Sequence, residues 1–398
     1  MILVLSEKPT KNSRITICDC KKRCPYLPSA YTDNPMEELY QIIEKIKISK
    51  ELDFEDGMLL MESRNLPLIG ALADYVRKKS VGERVLFINN YHINYSNVCT
   101  SKCRFCAYFR EEGQEGAFTL TVDEIMEKAE KARSFGATEL HIVGSLNPGL
   151  PFEYYENVLR SVHEKYPSMS LKAYTAVEIA YLADTTGMGV REVLLRLKKA
   201  GLSGLPGGGG EIFNEETRKK VCPEKISGER WLDIMETAHR LGIKSNATML
   251  YGHIETPEDI VDHILRIRTL QKKTGGFQAF IPLRFHPDNT ELQKNGIVRF
   301  GPTGFDDLKV IAVSRLLLNG YVNNIKTYWV MVGEKLAQVA LHYGANDIHG
   351  TVMEERITHA AGGATPEYMP KERLIHLIRN AGRIPVERTT NYEVICEY

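Results

Sequence analysis

From about residue 83 onward, short apolar or β-branched runs alternate with segments whose apolar residues recur at helical spacing. The strand-like runs are "RVLFINNYHI" (84–93), "TELHIVGS" (138–145), "SLKAYTAV" (170–177), "GLSGLP" (201–206), "KSNATMLYG" (244–252), "GFQAFIPLRF" (276–285), "NNIKTYWVM" (323–331) and "NDIHGTVM" (346–353). Thr121, three residues ahead of Glu124, reads as a capping box, and Ile125, Ala129 and Ala132 follow on one helical face. Thr256 and Pro257 open another helix, with Ile260, Ile264 and Ile267 as its stripe. Eight strands alternating with helices predict an α/β fold, a parallel (β/α)8 barrel of the TIM type. An open doubly wound sheet is the structural alternative. Residues 1–82 read as a mostly helical extension with helices over 35–50 and 53–79; the barrel spans 83–360; 361–398 hold a helix over 370–381 and a C-terminal tail.

Composition narrows the class. Fifty-one basic and 51 acidic residues cancel among 398, which argues against nucleic acid or an anionic membrane surface as a partner. The hydrophobic share of 43% is that of a globular protein with a sizeable core. No apolar run approaches the roughly 20 residues that a bilayer needs. The start, "MILVLSEKPTK", is too short in its apolar part for a signal peptide. The expected compartment is the cytoplasm, where thiols stay reduced and close cysteines point to metal or catalysis over disulfides.

The chemistry-bearing stretch is "NVCTSKCRFCAYFR" (97–110), which puts Cys99, Cys103 and Cys106 after the first expected strand, at the end of a barrel where active residues sit. Zinc usually takes four protein ligands, or three with an open position, and its cysteines come in pairs separated by a long gap. Iron–sulfur clusters take cysteine thiolates, normally four. Three would leave one iron without a protein ligand, and there a substrate can bind. Further polar residues end the later strands: Gly144 and Ser145, Glu178, Glu211 beside Gly209 in "LPGGGGEIF", His253 and Glu255, Arg284 and His286, then Glu354, Glu355 and His359. The four glycines allow backbone to approach a ligand, but no phosphate-loop Lys follows them. Arg284 offers a bidentate fork for a carboxylate. Cys18, Cys20 and Cys24 fit no metal spacing and read as ordinary thiols; Cys222 and Cys396 read as structural.

The cysteine triplet resembles that of the radical S-adenosylmethionine (SAM) superfamily. Residues 83–391 resemble, more narrowly, the aminodeoxyfutalosine synthase family of the futalosine route to menaquinone. The segments that carry this are "KAYTAVEI", "LPGGGGEIF", "VCPEKI", "TAHRLGIKSNATMLYGHIET", "GGFQAFIPLRFHPDNT", "GTVMEERITHAAG" and "AGRIPVER". The resemblance implies a [4Fe–4S] cluster on Cys99, Cys103 and Cys106, with SAM chelated at the remaining iron. It implies SAM contacts from Gly144 and Ser145, from Glu178 to the ribose, and from Tyr108, Gly209 and Glu211. His286, Arg284 and His253 would serve the chemistry on the second substrate. The implied reaction adds the 5′-deoxyadenosyl radical to 3-[(1-carboxyvinyl)oxy]benzoate, an aromatic dicarboxylate, and loses bicarbonate. Tyr108, Trp329 and the apolar residues of "FQAFIPL" would surround its ring. An electron donor such as flavodoxin or ferredoxin is implied as partner. Ser145 and Asn147 stand where the family more often has glycine and histidine, and Arg284 where it has a small residue. The rival readings are cyclic dehypoxanthinyl futalosine synthase, a related enzyme of deazaflavin biosynthesis, and a non-enzymatic iron–sulfur carrier.

Overall fold

A computed structural model of the chain describes residues 35–398, so Cys18, Cys20 and Cys24 lie outside the described residues. The helix Pro35–Lys47 comes first. Two helices, Phe54–Glu62 and Leu66–Val81, replace the single one expected over 53–79. The break has a local cause: the Asn65 side chain accepts from the Leu68 N–H, and a proline occupies the first turn, so the chain restarts there. Elsewhere helices begin where their caps put them. Thr121 and Glu124 close a capping box on Val122–Ser134, burying Ile125, Ala129 and Ala132. Thr256 and Asp259 do the same for Pro257–Thr274, which ends at Gly275 in the left-handed conformation (φ 58°). Among the described residues no helix is long and apolar enough to cross a membrane.

The first expected strand is split into β1 (Arg84–Ile88) and β2 (Asn90–Asn94). At the break the Asn90 N–H donates to Thr351 Oγ1 at 3.0 Å instead of to a ladder carbonyl. β2 then leads a parallel sheet through β3 (Glu139–Val143), β4 (Ser170–Ala173), β5 (Leu202–Leu205), β6 (Lys244–Tyr251) and β7 (Phe277–Arg284) in sequential order. β8 (Asp347–Gly350) pairs with β1 in a second sheet. The run expected as a strand over 323–331 is not one. Isolated bridges from Ile325 to Phe280 and from Lys326 to Asp347, with side-chain bonds of Asn324 and Asn346 beside them, link β7 to β8 there. After Tyr328 the chain enters the short helix Trp329–Val332, which stops at Gly333 (φ 82°). The architecture is thus a mixed α/β fold built on a curled parallel sheet, and an unbroken eight-stranded ladder is not what the hydrogen bonds draw.

The residues expected as a tail also differ. After the helix Lys371–Asn380 they form β9 (Ile384–Arg388), parallel to β1, and β10 (Val394–Glu397), antiparallel to β9. This hairpin brings charge under the N-terminal ends of the strands. Asp347 accepts from Arg388 Nε at 3.0 Å and from the Tyr392 hydroxyl at 3.1 Å, and it pairs ionically with Arg388 NH2 at 2.9 Å and with Lys326 Nζ at 4.0 Å. Glu139 accepts from Thr390 at 2.8 Å and faces Lys172 at 3.5 Å. All these carboxylates and cations are buried, so each is tolerable only while its partner stays. Replacing Arg388 by Met should therefore destabilise the protein by about 3–5 kcal/mol, read as a lowered midpoint in urea unfolding; a midpoint equal to wild type would mean that the hairpin closes nothing.

Candidate active site

The site grows out of the loop that leaves β2. Asn97 ties it back on itself: its carbonyl accepts from Arg110 N–H at 2.8 Å and its side-chain oxygen from Phe118 N–H at 2.8 Å. Arg104 N–H donates to the Val221 carbonyl at 2.9 Å, which presses the loop against the segment after the glycine run. The loop out of β3 supports it from the side. Ser145 donates its hydroxyl to the Val98 carbonyl at 2.6 Å, and Asn147 Nδ2 donates to Ser96 and Thr119 at 3.0 and 2.8 Å. Ser145 and Asn147 are thus anchors of the cysteine loop.

Cys99, Cys103 and Cys106 are free thiols lining one cavity of about 320 Å³. Burial pushes the Cys103 thiol up to about 12 and raises Cys106 as well. Such thiols ionise only beside positive charge, which a metal supplies. The donor set fits an iron–sulfur cluster, because backbone N–H groups already turn to the sulfurs: Ser101 N–H to Cys99 Sγ at 3.4 Å, and the amides of Tyr108 and Phe109 to Cys106. Among the described residues no three His, Cys, Asp or Glu side chains form a site for a metal ion. A cluster takes one thiolate per iron and needs no convergence on a point. Cys222 packs in the same apolar cluster as Cys103 but does not line the cavity.

Three buried carboxylates reach the cavity, and two of them, Glu178 and Glu211, are fixed in different ways. Glu178 closes the capping box of the helix Ala176–Thr186, accepting from Thr175 N–H at 2.6 Å through Oε2. Its Oε1 accepts from the Tyr95 hydroxyl at 2.6 Å and from Gly144 N–H at 3.3 Å. Burial still raises its pKa. Glu211 accepts from Lys225 Nζ at 2.6 Å. Burial pushes Glu211 upward, but the Lys225 charge outweighs this and holds the carboxyl below its ordinary range. Lys225, 5.1 Å above the Phe105 ring, also stands beside Cys103. The glycines before Glu211 let the loop lie flat on β6: a Cβ on Gly207 (φ 92°) would stand 2.3 Å from the Asn246 carbonyl. Gly209 (φ 86°) lines the cavity, and its carbonyl is held by buried Arg218 at 3.0 Å.

The remaining expected residues separate. Tyr108 lines the cavity, with its buried hydroxyl unpartnered. His286 lines it too; Nε2 donates to the Met331 carbonyl at 3.0 Å, which leaves Nδ1 unprotonated, and burial lowers its pKa. Arg284 lines the cavity as well, but it is not a free fork. NH1 donates to Asp307 at 2.7 Å and NH2 to the Pro302 carbonyl at 2.5 Å. His253 does not line the cavity: its buried ring accepts from Ile254 N–H at 2.7 Å and lies 3.1 Å from Glu255. Trp329 is fully buried and donates to the Gly350 carbonyl at 2.8 Å, so Tyr328 takes its expected place on the wall. Of the last acids, Glu355 lines the cavity and Glu354 is held by Lys128, Lys131 and Tyr91. His359, whose Nδ1 stands 2.6 Å from the Glu355 carbonyl, is raised to about 9 by that acid. Sequence reasoning passed over Lys225, His92, His141 and His349, which all line the cavity. The signal was present, since "HI" recurs in "YHIN" and "LHIV" of consecutive strands.

A model of the radical SAM superfamily matches residues 93–267, and one of the CofH/MqnC C-terminal region matches 274–397. An aminodeoxyfutalosine synthase from Thermus thermophilus is 44% identical over 357 residues, 90% of this chain and 96% of that one. A 5-amino-6-(D-ribitylamino)uracil–L-tyrosine 4-hydroxyphenyl transferase from Methanopyrus kandleri is 43% identical over 82% of this chain and 88% of its own. Among solved structures, the [FeFe]-hydrogenase maturase HydG from Carboxydothermus hydrogenoformans shares the fold. Its TM-score is 0.71 at 18% identity, over 90% of this chain and 81% of that one.

The bonding of Glu178 generates a stability prediction. Both its oxygens accept from N–H groups, so Glu178→Gln must turn an N–H donor toward another donor. The variant should lose about 1–3 kcal/mol, measured as a lower thermal midpoint, and an unshifted midpoint would show that neither bond matters.

Proposed function

The chain belongs to the radical SAM superfamily, whose enzymes use a [4Fe–4S] cluster and SAM, and we propose that it is an aminodeoxyfutalosine synthase. The chemistry supplied by the bound cofactor is reductive cleavage of SAM to methionine and a 5′-deoxyadenosyl radical. The proposed overall reaction joins the adenosyl carbon to the enolpyruvyl double bond of 3-[(1-carboxyvinyl)oxy]benzoate and releases bicarbonate, giving 6-amino-6-deoxyfutalosine. The observation that carries this reading is one cavity shared by three free thiols, three buried carboxylates and an apolar wall. At about 320 Å³ it falls in the range of small-molecule sites.

In this reading Cys99, Cys103 and Cys106 hold the cluster, and Ser145 fixes their loop through Val98. Gly144, held by Glu178, presents backbone to SAM, and Glu178 keeps lone pairs for ribose hydroxyls. Glu211 and Lys225 set a neutral buried pair beside the thiols, which spares the site a net charge. Ile281, Leu283 and Phe285 line the cavity with an apolar wall that keeps stray hydrogen-atom donors such as thiols away from the adenosyl carbon. His286 presents Nδ1 as a proton acceptor. We read the bridges at Ile325 and Lys326 as completing a functional (β/α)8 barrel whose mouth is this cavity. A reduced cluster calls for a donor of the flavodoxin or ferredoxin kind, and free cysteines suit a reducing cytoplasm.

A second reading is favoured by the methanogen relatives, which are as similar as the synthases and are named for transfer from L-tyrosine to a ribitylaminouracil. The two readings part at the fate of the adenosyl carbon. Reduced enzyme given adenosyl-labelled SAM and 3-[(1-carboxyvinyl)oxy]benzoate should place label in a nucleoside–benzoate adduct with little free 5′-deoxyadenosine. Stoichiometric free 5′-deoxyadenosine with tyrosine and the uracil, and no adduct from the enolpyruvyl benzoate, would sink the synthase reading. Alanine at Cys99, Cys103 or Cys106 should each remove iron and SAM cleavage together, whereas full iron content in any one variant would contradict the ligand assignment.

A further inference from the structure

His92 and His141 face each other across the ladder of β2 and β3, where they are register partners. Their rings stack 4.4 Å apart at 13°, and the His349 ring meets His92 edge-on at 5.7 Å. All three line the cavity. Their tautomers follow from their neighbours. Asn90 Oδ1 accepts from Val352 N–H at 3.1 Å, which turns Nδ2 toward His92 Nε2 at 3.3 Å. That nitrogen is therefore an acceptor, and the His92 proton sits on Nδ1. Among the described residues nothing hydrogen-bonds either nitrogen of His141, and neither is sealed from the cavity. Burial drives both rings down to about 3, so both are neutral and each carries one N–H. His349 holds a positive φ of 78°, a conformation that a non-glycine residue keeps only when its surroundings impose it.

Beneath the rings lies charge. Lys172 is the register partner of His141, and Lys326 and Arg388 complete a cationic set against Glu139 and Asp347. Burial lowers both lysines, so an entering anion recovers charge that burial takes away. Stacked N–H donors one ring spacing apart suit the two oxygens of a carboxylate. We propose that His92 and His141, with His349 as their wall, form a subsite for the ring carboxylate of a benzoate cosubstrate. The identity of that ligand rests on the synthase reading; the recognition chemistry does not.

The test is binding, without turnover. Reconstituted holoenzyme is titrated by calorimetry under anaerobic conditions with 3-hydroxybenzoate and with 3-hydroxybenzamide, which lacks the charge. Wild type should prefer the benzoate by about tenfold or more, as hydrogen bonds to a charged group imply. His141→Leu should abolish that preference by weakening the benzoate alone, and His141→Gln, which restores an N–H donor, should recover part of it. Iron content and thermal melting of each variant report folding. Equal affinities in wild type would overturn the proposal without any variant, and so would an undiminished preference in a folded His141→Leu. Preference without turnover of the enolpyruvyl benzoate leaves the subsite standing and removes the synthase reading; turnover without preference does the reverse.

Discussion

The parallel register of β2 against β3 is the constraint on which the site depends. Pairing Asn94 with Val143 makes both strands end at one level, so the cysteine loop and the Gly144–Asn147 loop leave side by side. That adjacency lets Ser145 and Asn147 bond the cysteine loop, and lets Tyr95 reach both the Ser145 carbonyl and Glu178. The same register stacks His92 on His141 one layer below. A slip by one residue would reverse every side chain and dissolve the site.

Below that layer the fold carries a second requirement. Five charged side chains, Lys172, Lys326, Arg388, Glu139 and Asp347, are buried together. They remain tolerable because the β9–β10 hairpin brings Arg388, Thr390 and Tyr392 to them. The C-terminal strands thus belong to the cavity's foundation. Their pairing with β1 joins the last strands to the first, and a short run such as "IPVER" carries no local sign of that partner.

What the sequence made legible was what local rules decide. The capping box at Thr121 and the Thr256–Pro257 cap marked helix starts, and β-branched runs marked most strands. The run 323–331 failed because only Ile325 and Lys326 bridge to neighbours while Trp329, Val330 and Met331 turn into a short helix, which periodicity over so few residues cannot separate from a strand. In the site, the cysteine triplet was legible from spacing alone, and Glu178 and Glu211 from their places at strand ends. Arg284 reaches the cavity without a free fork, and His253 does not reach it, for one reason: a charge at a strand end says nothing about a distant partner. Asp307 takes the guanidinium of Arg284, and Glu255 with the Ile254 amide takes His253. Lys225 lay inside a quoted motif, but only folding shows it beside Glu211 and Cys103.

The central claim is that three thiols alone bind the metal group and that they share a cavity with the histidine pair. An iron anomalous difference map from anaerobic crystals soaked with 3-hydroxybenzoate tests it directly. The account predicts iron at Cys99, Cys103 and Cys106, one iron with no protein ligand, and aromatic density against His92 and His141. A fourth protein ligand such as Cys222, or iron outside this cavity, would contradict it.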